Sequence, residues 1–240
     1  MSSVMPVTSG VPQGSIIGPL LFVLFINDIS EGINEGTNTL IYADDTKIWR
    51  EIHVNNDHIL LQLDIDYLLD WALQNNIKFN IPKCKVLSFS HYRSSLLENL
   101  SFTTYYYRMN EKFLDYCKNE TDLGILMTPT LNFSDHSDKL YSKACQRLGL
   151  LKRTCHFVNN LQMRTALYLS IVRSIFEHCP YIWKPSSDTT IKKLESLQKR
   201  AIKWVLLGDM HFTSPSYTAN PMLYLTHCKQ LNILPIKLQI

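Results

Sequence analysis

Apolar and polar positions change their spacing along this chain, and each change marks a predicted element. After a Gly/Pro-rich opening, residues 13–27 are almost continuously apolar, which predicts a helix with Asn27 and Asp28 near its end. Leu40-Ile41 and Ile48-Trp49 flank a short polar stretch, so residues 39–50 are predicted as a β-hairpin with Asp44 and Asp45 at the tip and the body of Trp49 packed beneath the sheet. Over 57–71, Ile59, Leu60, Leu63, Tyr67, Leu68 and Trp71 recur at helical spacing, with Asp64, Asp66 and Asp70 assigned to a solvated face. Residues 85–90 alternate as a short strand, and 101–107 with 112–116 form a predicted second hairpin around Asn110. Tyr105, Tyr106 and Tyr107 suit either sheet packing or stacking on bases.

Beyond Ser134 the period becomes helical. Ser134 is an N-cap candidate with Asp135 and Asp138 in the first turn, where carboxylates meet the exposed amides. Three helices are predicted, over 135–154, 160–177 and 189–207, with Pro180 and Pro185 breaking the second from the third. In the last, Ile191, Leu194, Leu197, Ile202 and Val205 oppose Lys192, Lys193, Lys199, Arg200 and Lys203, an amphipathic pattern with a basic exposed side. Residues 208–240, punctuated by Pro215, Pro221 and Pro235, show little periodicity and are expected to be an irregular tail.

The chemistry suggested by this pattern concentrates in Tyr42-Ala43-Asp44-Asp45. A hairpin tip holds two carboxylates side by side, and hard divalent cations such as Mg²⁺ take carboxylate oxygens together with water and substrate phosphates. Two such ions, roughly 3.5–4 Å apart, clamp the attacking and leaving oxygens of an in-line displacement at phosphorus. The same two residues also suit a solvated turn, since Asp favours turns through its local hydrogen bonds. The tetrapeptide alone therefore admits both readings.

Upstream, the run from Gly10 through Pro12, Gln13 and Gly14 to Phe22 opens the apolar helix with a Gly-rich loop. Together the two segments resemble the reverse transcriptase family, specifically the branch from retrotransposons that lack long terminal repeats. Downstream, residues 71–89 with Phe79-Asn80 and Lys83, then Leu123-Gly124-Ile125 and residues 167–185 and 194–201, are similar to successive regions of jockey-like elements. The resemblance covers about residue 10 to residue 207. It implies an α+β fold: a partial polymerase palm over 1–133, an all-α thumb-like domain over 134–207, and the tail. It further implies RNA-directed DNA synthesis, in which Pro12, Gln13, Gly14 and Tyr42 shape the nucleotide and template site. Asp44 and Asp45 would hold Mg²⁺, and Lys83 would neutralise or protonate the departing pyrophosphate. A solvent-facing lysine in a basic turn is the competing reading of Lys83.

The family carries a third metal-binding carboxylate on a strand before the Gln-Gly loop, whereas residues 1–9 contain no acid. The expectation is a copy truncated at its 5′ side, with an incomplete two-metal site and little activity of its own. The alternatives are a non-catalytic nucleic-acid-binding remnant and a host-adapted interaction module.

Composition and charge refine this picture. With 45% hydrophobic and 19% charged residues the chain is expected to fold, and it shows neither a signal peptide nor an apolar run long enough to span a bilayer. A soluble intracellular protein is expected, nuclear if functional. The six cysteines form no Cys-x-x-Cys pair, and Cys155-His156 and His178-Cys179 are read as packing and surface residues. A net charge of +3 conceals an asymmetry: residues 1–138 hold 9 Lys and Arg against 17 Asp and Glu, whereas residues 139–204 hold 13 against 3. A cationic block of that size is expected to lie along phosphates, with RNA template, DNA primer and deoxynucleoside triphosphate as partners and no membrane.

Overall fold

A computed structural model describes residues 14–89, 105–185, 187–208, 217 and 220–236. The chain divides into two compact units, Met1–Val86 with Ser94–Cys117, and Leu87–Arg93 with Lys118–Ile240. The division falls upstream of the predicted domain boundary at 133, because the hairpin over 120–127 belongs with the helices that follow it.

In the first unit the elements are α1 (Ile17–Ile26), β1 (Thr37–Tyr42), β2 (Asp45–Arg50), α2 (Asn55–Gln74), a 3-10 turn (Ile81–Lys83), β3 (Lys85–Val86), β4 (Arg108–Met109), β5 (Lys112–Phe113) and β6 (Asp115–Tyr116). β1 and β2 pair antiparallel, as do β4 and β5, while β3 and β6 run parallel. Each sheet has two strands among the described residues, so its stability comes from the helices it leans on. Two small apolar clusters result. One gathers Ile26, Ile29, Leu68, Trp71 and Ala72, the other Ile65, Tyr107, Met109 and Leu114, and Ile48 and Phe79 pack against both.

α2 departs from its apolar pattern. Ile59 and Leu63 are exposed, while Gln62 and Asp64 are buried. Gln62 replaces a strand partner: its amide accepts from the Arg108 N–H at 2.9 Å and donates to the Arg108 carbonyl at 3.0 Å. The Asp64 carboxylate accepts from both the backbone N–H and the side-chain amide of Asn34, at 2.8 and 2.7 Å. Of the three predicted solvated acids, Asp70 alone is exposed. In the tyrosine run, Tyr107 is buried, Tyr105 stacks on His58 at 5.0 Å, and Tyr106 faces outward.

The second unit holds β7 (Glu120–Asp122), β8 (Ile125–Met127), α3 (Ser134–Thr154), α4 (Leu161–Tyr168), a π-helical segment (Leu169–Arg173), α5 (Ser174–Glu177), α6 (Pro180–Trp183), α7 (Asp188–Leu207) and α8 (Pro221–Gln230). Ser134 is the first helical residue of α3, and the Asn132 side chain accepts its N–H at 3.0 Å. α3 and α7 run in the same direction, since Lys193 reaches Asp138 at 2.9 Å and Arg200 reaches Cys145 at 3.2 Å, both across 55 positions. Ala144, Tyr168, Val172, Trp183, Leu194, Leu197 and Ala201 are fully buried in one core. Two histidines pin the β7–β8 hairpin: His136 Nδ1 accepts from the Leu126 N–H at 3.2 Å, and His178 Nε2 bonds the Leu123 carbonyl at 2.9 Å.

The described part of the C-terminal segment, 217 and 220–236, is not an irregular tail; the rest of 208–240 beyond Gly208 lies outside the described residues. α8 begins at Pro221, with the Asn220 side chain accepting from the Leu223 N–H, and Tyr217, Tyr224, Cys228, Ile233 and Ile236 are buried in the helical core. Among the described residues no helix is long and apolar enough to cross a membrane.

Candidate active site

The β1–β2 ladder closes at the pair Tyr42 and Asp45, leaving Ala43 and Asp44 as a two-residue loop. Ala43 takes φ 51°, a left-handed conformation that in tight hairpins is usually filled by glycine. Strain of this kind, about 1 kcal/mol for a residue with a Cβ, recurs at functional sites. Asp44 therefore sits at the apex and Asp45 opens β2, both exposed.

Strand alternation sorts the hairpin into two faces. Thr39, Ile41, Thr46 and Ile48 face inward, and Ile41 and Ile48 join the apolar clusters. Asn38, Leu40, Tyr42, Asp45, Lys47 and Trp49 share the outward face. Trp49 is thus 48% exposed on the same face as Tyr42 and Asp45, rather than beneath the sheet. With period two, burying Ile48 necessarily turns its neighbour outward.

The base of the hairpin is held from several sides. The Arg50 guanidinium donates to the Glu35 carbonyl at 2.9 Å, to the Thr37 hydroxyl at 3.0 Å and to the Asp57 carboxylate at 3.4 Å. Asp57 also accepts the N–H groups of His53 and Val54 at the start of α2. Those amides, with Arg50 beside them, hold its carboxyl below the usual carboxylate range. α2 secures the incoming chain through Asp64 on Asn34 and through the Trp71 indole N–H on Asp28 at 3.1 Å. Nothing in the sequence pattern singles out Arg50, Asp57 or Asp64; an arginine closing a hairpin seven residues before an aspartate is the nearest signal.

The other predicted site residues are dispersed. Pro12 and Gln13 lie outside the described residues. Gly14 takes φ 83° just before α1, with open space where a Cβ would stand. Lys83 ends the 3-10 turn, exposed, and no hydrogen bond or ion pair among the described residues joins it to Asp44 or Asp45. α1 shows apolar side chains on nearly every side, with Leu20 61% and Leu24 66% exposed.

As ligands for Mg²⁺, Asp44 and Asp45 offer the right donor chemistry, hard carboxylate oxygens open to solvent on a braced turn. Their number is two: among the described residues no group of three His, Cys, Asp or Glu side chains is placed to hold a metal. Water and substrate phosphates, which this cation commonly retains, would complete its shell.

Residues 2–150 match the family described as reverse transcriptase (RNA-dependent DNA polymerase). Over 215 residues the chain is 24% identical to the RNA-directed DNA polymerase from mobile element jockey of Drosophila melanogaster, covering 84% of this chain and 22% of that protein. Over 204 residues it is 26% identical to the probable RNA-directed DNA polymerase from transposon BS of the same species, covering 81% of this chain and 22% of that one. The corresponding X-element protein, also from Drosophila melanogaster, is 24% identical over 207 residues, 83% of this chain and 22% of its own length. The chain spans about a fifth of the length of the curated relatives it matches, 22% in each case. No solved structure matches it. With a family match over most of its length and relatives among the polymerases of non-LTR elements, the chain belongs to the reverse transcriptase (RNA-dependent DNA polymerase) family.

Proposed function

We propose that this chain carries the carboxylate-bearing part of the RNA-directed DNA polymerase of a non-LTR retrotransposon, with a palm-like first unit, a thumb-like second unit and a place of work in the nucleus. The observation that carries the reading is the side-by-side pair Asp44 and Asp45 at the exposed, braced tip of the β1–β2 hairpin, in a chain of this family. In the reaction a primer 3′-hydroxyl attacks the α-phosphate of a deoxynucleoside triphosphate paired to an RNA template, and pyrophosphate leaves. Asp44 and Asp45 hold Mg²⁺, which when bound polarises phosphoryl oxygens and offsets their growing charge. Tyr42, beside Asp45 on the outward face, borders the nucleotide and template site. Pro12, Gln13 and Gly14 shape the template and nucleotide site, and Lys83 receives the charge of the leaving pyrophosphate. The basic region over 139–204 lies along template and primer phosphates.

Primer extension on an RNA template with Mg²⁺ tests this. Incorporation that Asp44→Asn abolishes supports the polymerase reading; incorporation unaffected by that change overturns it. The two-carboxylate ligand set among the described residues favours a second reading, nucleic-acid binding without turnover, and salt-sensitive binding with no incorporation identifies it.

A further inference from the structure

α2 leaves one side uncovered, and its residues recur there with the spacing of a helix seam. Ile59, Leu63, Asp66, Asp70 and Leu73 follow one another by alternating steps of four and three, which places them within an arc of about 80° along roughly 21 Å of helix axis. Ile59 and Leu63 are half exposed, Leu73 is 77% exposed and Asp70 is exposed. Asp66 is partly buried and accepts the Gln62 side-chain N–H at 2.9 Å. The opposite side of α2 is already filled, by Ile65, Leu68, Trp71 and Ala72 in the two apolar clusters.

The stripe is acidic as well as apolar. α2 carries Asp57, Asp64, Asp66 and Asp70 but no Lys or Arg, and no base in its last turn offsets the partial negative charge of the helix end near Asp70. Beside the stripe lies an open pocket of about 320 Å³ lined by Asp66, Leu69, Asp70, Arg108 and Asn110. Arg108 stands on its β4 wall and offsets one of the two carboxylates, which leaves the stripe negative. With Tyr107 and Met109 buried, Tyr106 shares the outward side with Arg108 and meets the exposed Phe113 edge to face at 6.0 Å. Exposed aromatic faces attract cations too.

Charge decides the occupant. An acidic helix without a base repels phosphates, and a lipid surface calls for the Lys or Arg that α2 lacks. A second α2 laid on the first in register, parallel or antiparallel, brings Asp66 onto Asp66. α3 and α7, the basic helices of this chain, turn their apolar sides into the second unit's core, so neither has the matching face to offer. We propose that the exposed stripe of α2 docks one amphipathic helix of a partner protein, with Leu, Ile or Val against Ile59, Leu63 and Leu73, and Lys or Arg against Asp66 and Asp70. The apolar residues supply the burial, and the opposed charges fix the register.

A labelled helical peptide, with Leu, Lys, Lys, Leu and Leu at steps of three, four, three and four to run antiparallel to α2, tests this by fluorescence anisotropy on the full chain. The same peptide with Glu for both Lys should bind about tenfold more weakly, and the gap should narrow as NaCl rises. Asp66→Lys with Asp70→Lys should reverse that preference. Leu73→Gln should weaken binding of both peptides several-fold. Should the double variant unfold by circular dichroism, Asp70→Lys alone, on an exposed side chain, should remove most of the preference. Equal binding of the two peptides, a preference unmoved by the charge reversal, or no binding of either overturns the assignment. So does a dimer in sedimentation velocity that Leu63→Lys with Leu73→Lys dissolves, which gives the stripe to a second copy.

Discussion

The guanidinium of Arg173 donates to the backbone carbonyl of Leu234 at 3.0 Å, across 61 positions of chain. That carbonyl also takes the Gln198 side-chain N–H at 3.0 Å, and Arg173 further bonds Gln198 and Glu177. Arg173 and Gln198 are both buried, so the segment after α8 supplies an acceptor that nothing from solvent can replace. Removing one partner of a buried charged group leaves the rest unsatisfied. A chain ending at residue 208 should lose cooperative unfolding in its second unit and bind a hydrophobic dye. Arg173→Ala in the full chain should cost about 3 kcal/mol in urea denaturation followed by tryptophan fluorescence. A truncated chain with an unchanged transition would refute the role given to this segment.

Ala43 carries the one left-handed φ of the hairpin loop. Replacing it by glycine removes the Cβ clash while adding freedom to the unfolded chain. Ala43→Gly should therefore protect the β1–β2 amides by up to about 1 kcal/mol in hydrogen exchange. Ala43→Val, branched at the same position, should act in the opposite sense.

Acid should loosen the second unit. Burial, then the charges of Lys139 and His178, hold His136 below its ordinary 6.5, and its Nδ1 must stay unprotonated to accept from Leu126. The unfolded chain thus takes up a proton that the folded chain refuses. Stability is complete above pH 6.5 and declines as pH falls below it toward the folded value. His58 in the first unit is lowered by burial as well and contributes with the same sign, so the comparison has to be with a variant. His136→Gln, which accepts a hydrogen bond without titrating, should flatten the decline in urea midpoints measured between neutral and mildly acidic pH. Superimposable profiles would refute it.

Exposed leucines on α1 make the chain prone to associate. Leu20→Lys with Leu24→Lys should reduce self-association in sedimentation velocity while changing stability by less than about 0.5 kcal/mol. Ile26→Lys, at a buried position in the same helix, should unfold the first unit. Equal damage from both would mean that the exposed face is in fact packed.

Some of this was legible in the sequence. Two strand-like runs around a short polar loop located the hairpin and put Asp44 and Asp45 at its tip. The three long helical stretches after Ser134 lie close to their predicted limits. What escaped was polar burial: Gln62 pairs with a strand backbone and Asp64 closes on Asn34, and binary patterning assigns both to solvent. Trp49 obeys alternation rather than size, turning outward because Ile48 turns in. α8 is hidden because prolines punctuate 208–240, although Asn220-Pro221 is also a helix start, with a cap followed by a ring that needs no N–H. Tyr224, Cys228 and Leu231, which bury that helix, are too few to show a period.

The shared direction of α3 and α7 governs when the second unit can assemble. Neighbouring helices that point the same way cannot be joined by a short turn, so the chain must first travel back through residues 161–183. Closing such a loop adds only a logarithmic entropic cost, but it raises the mean separation of native contacts, and folding slows accordingly. On a ribosome α3 would emerge well before α7, and before the segment that seals Arg173. Its apolar side must wait, exposed, until α7 and the segment after α8 have been added.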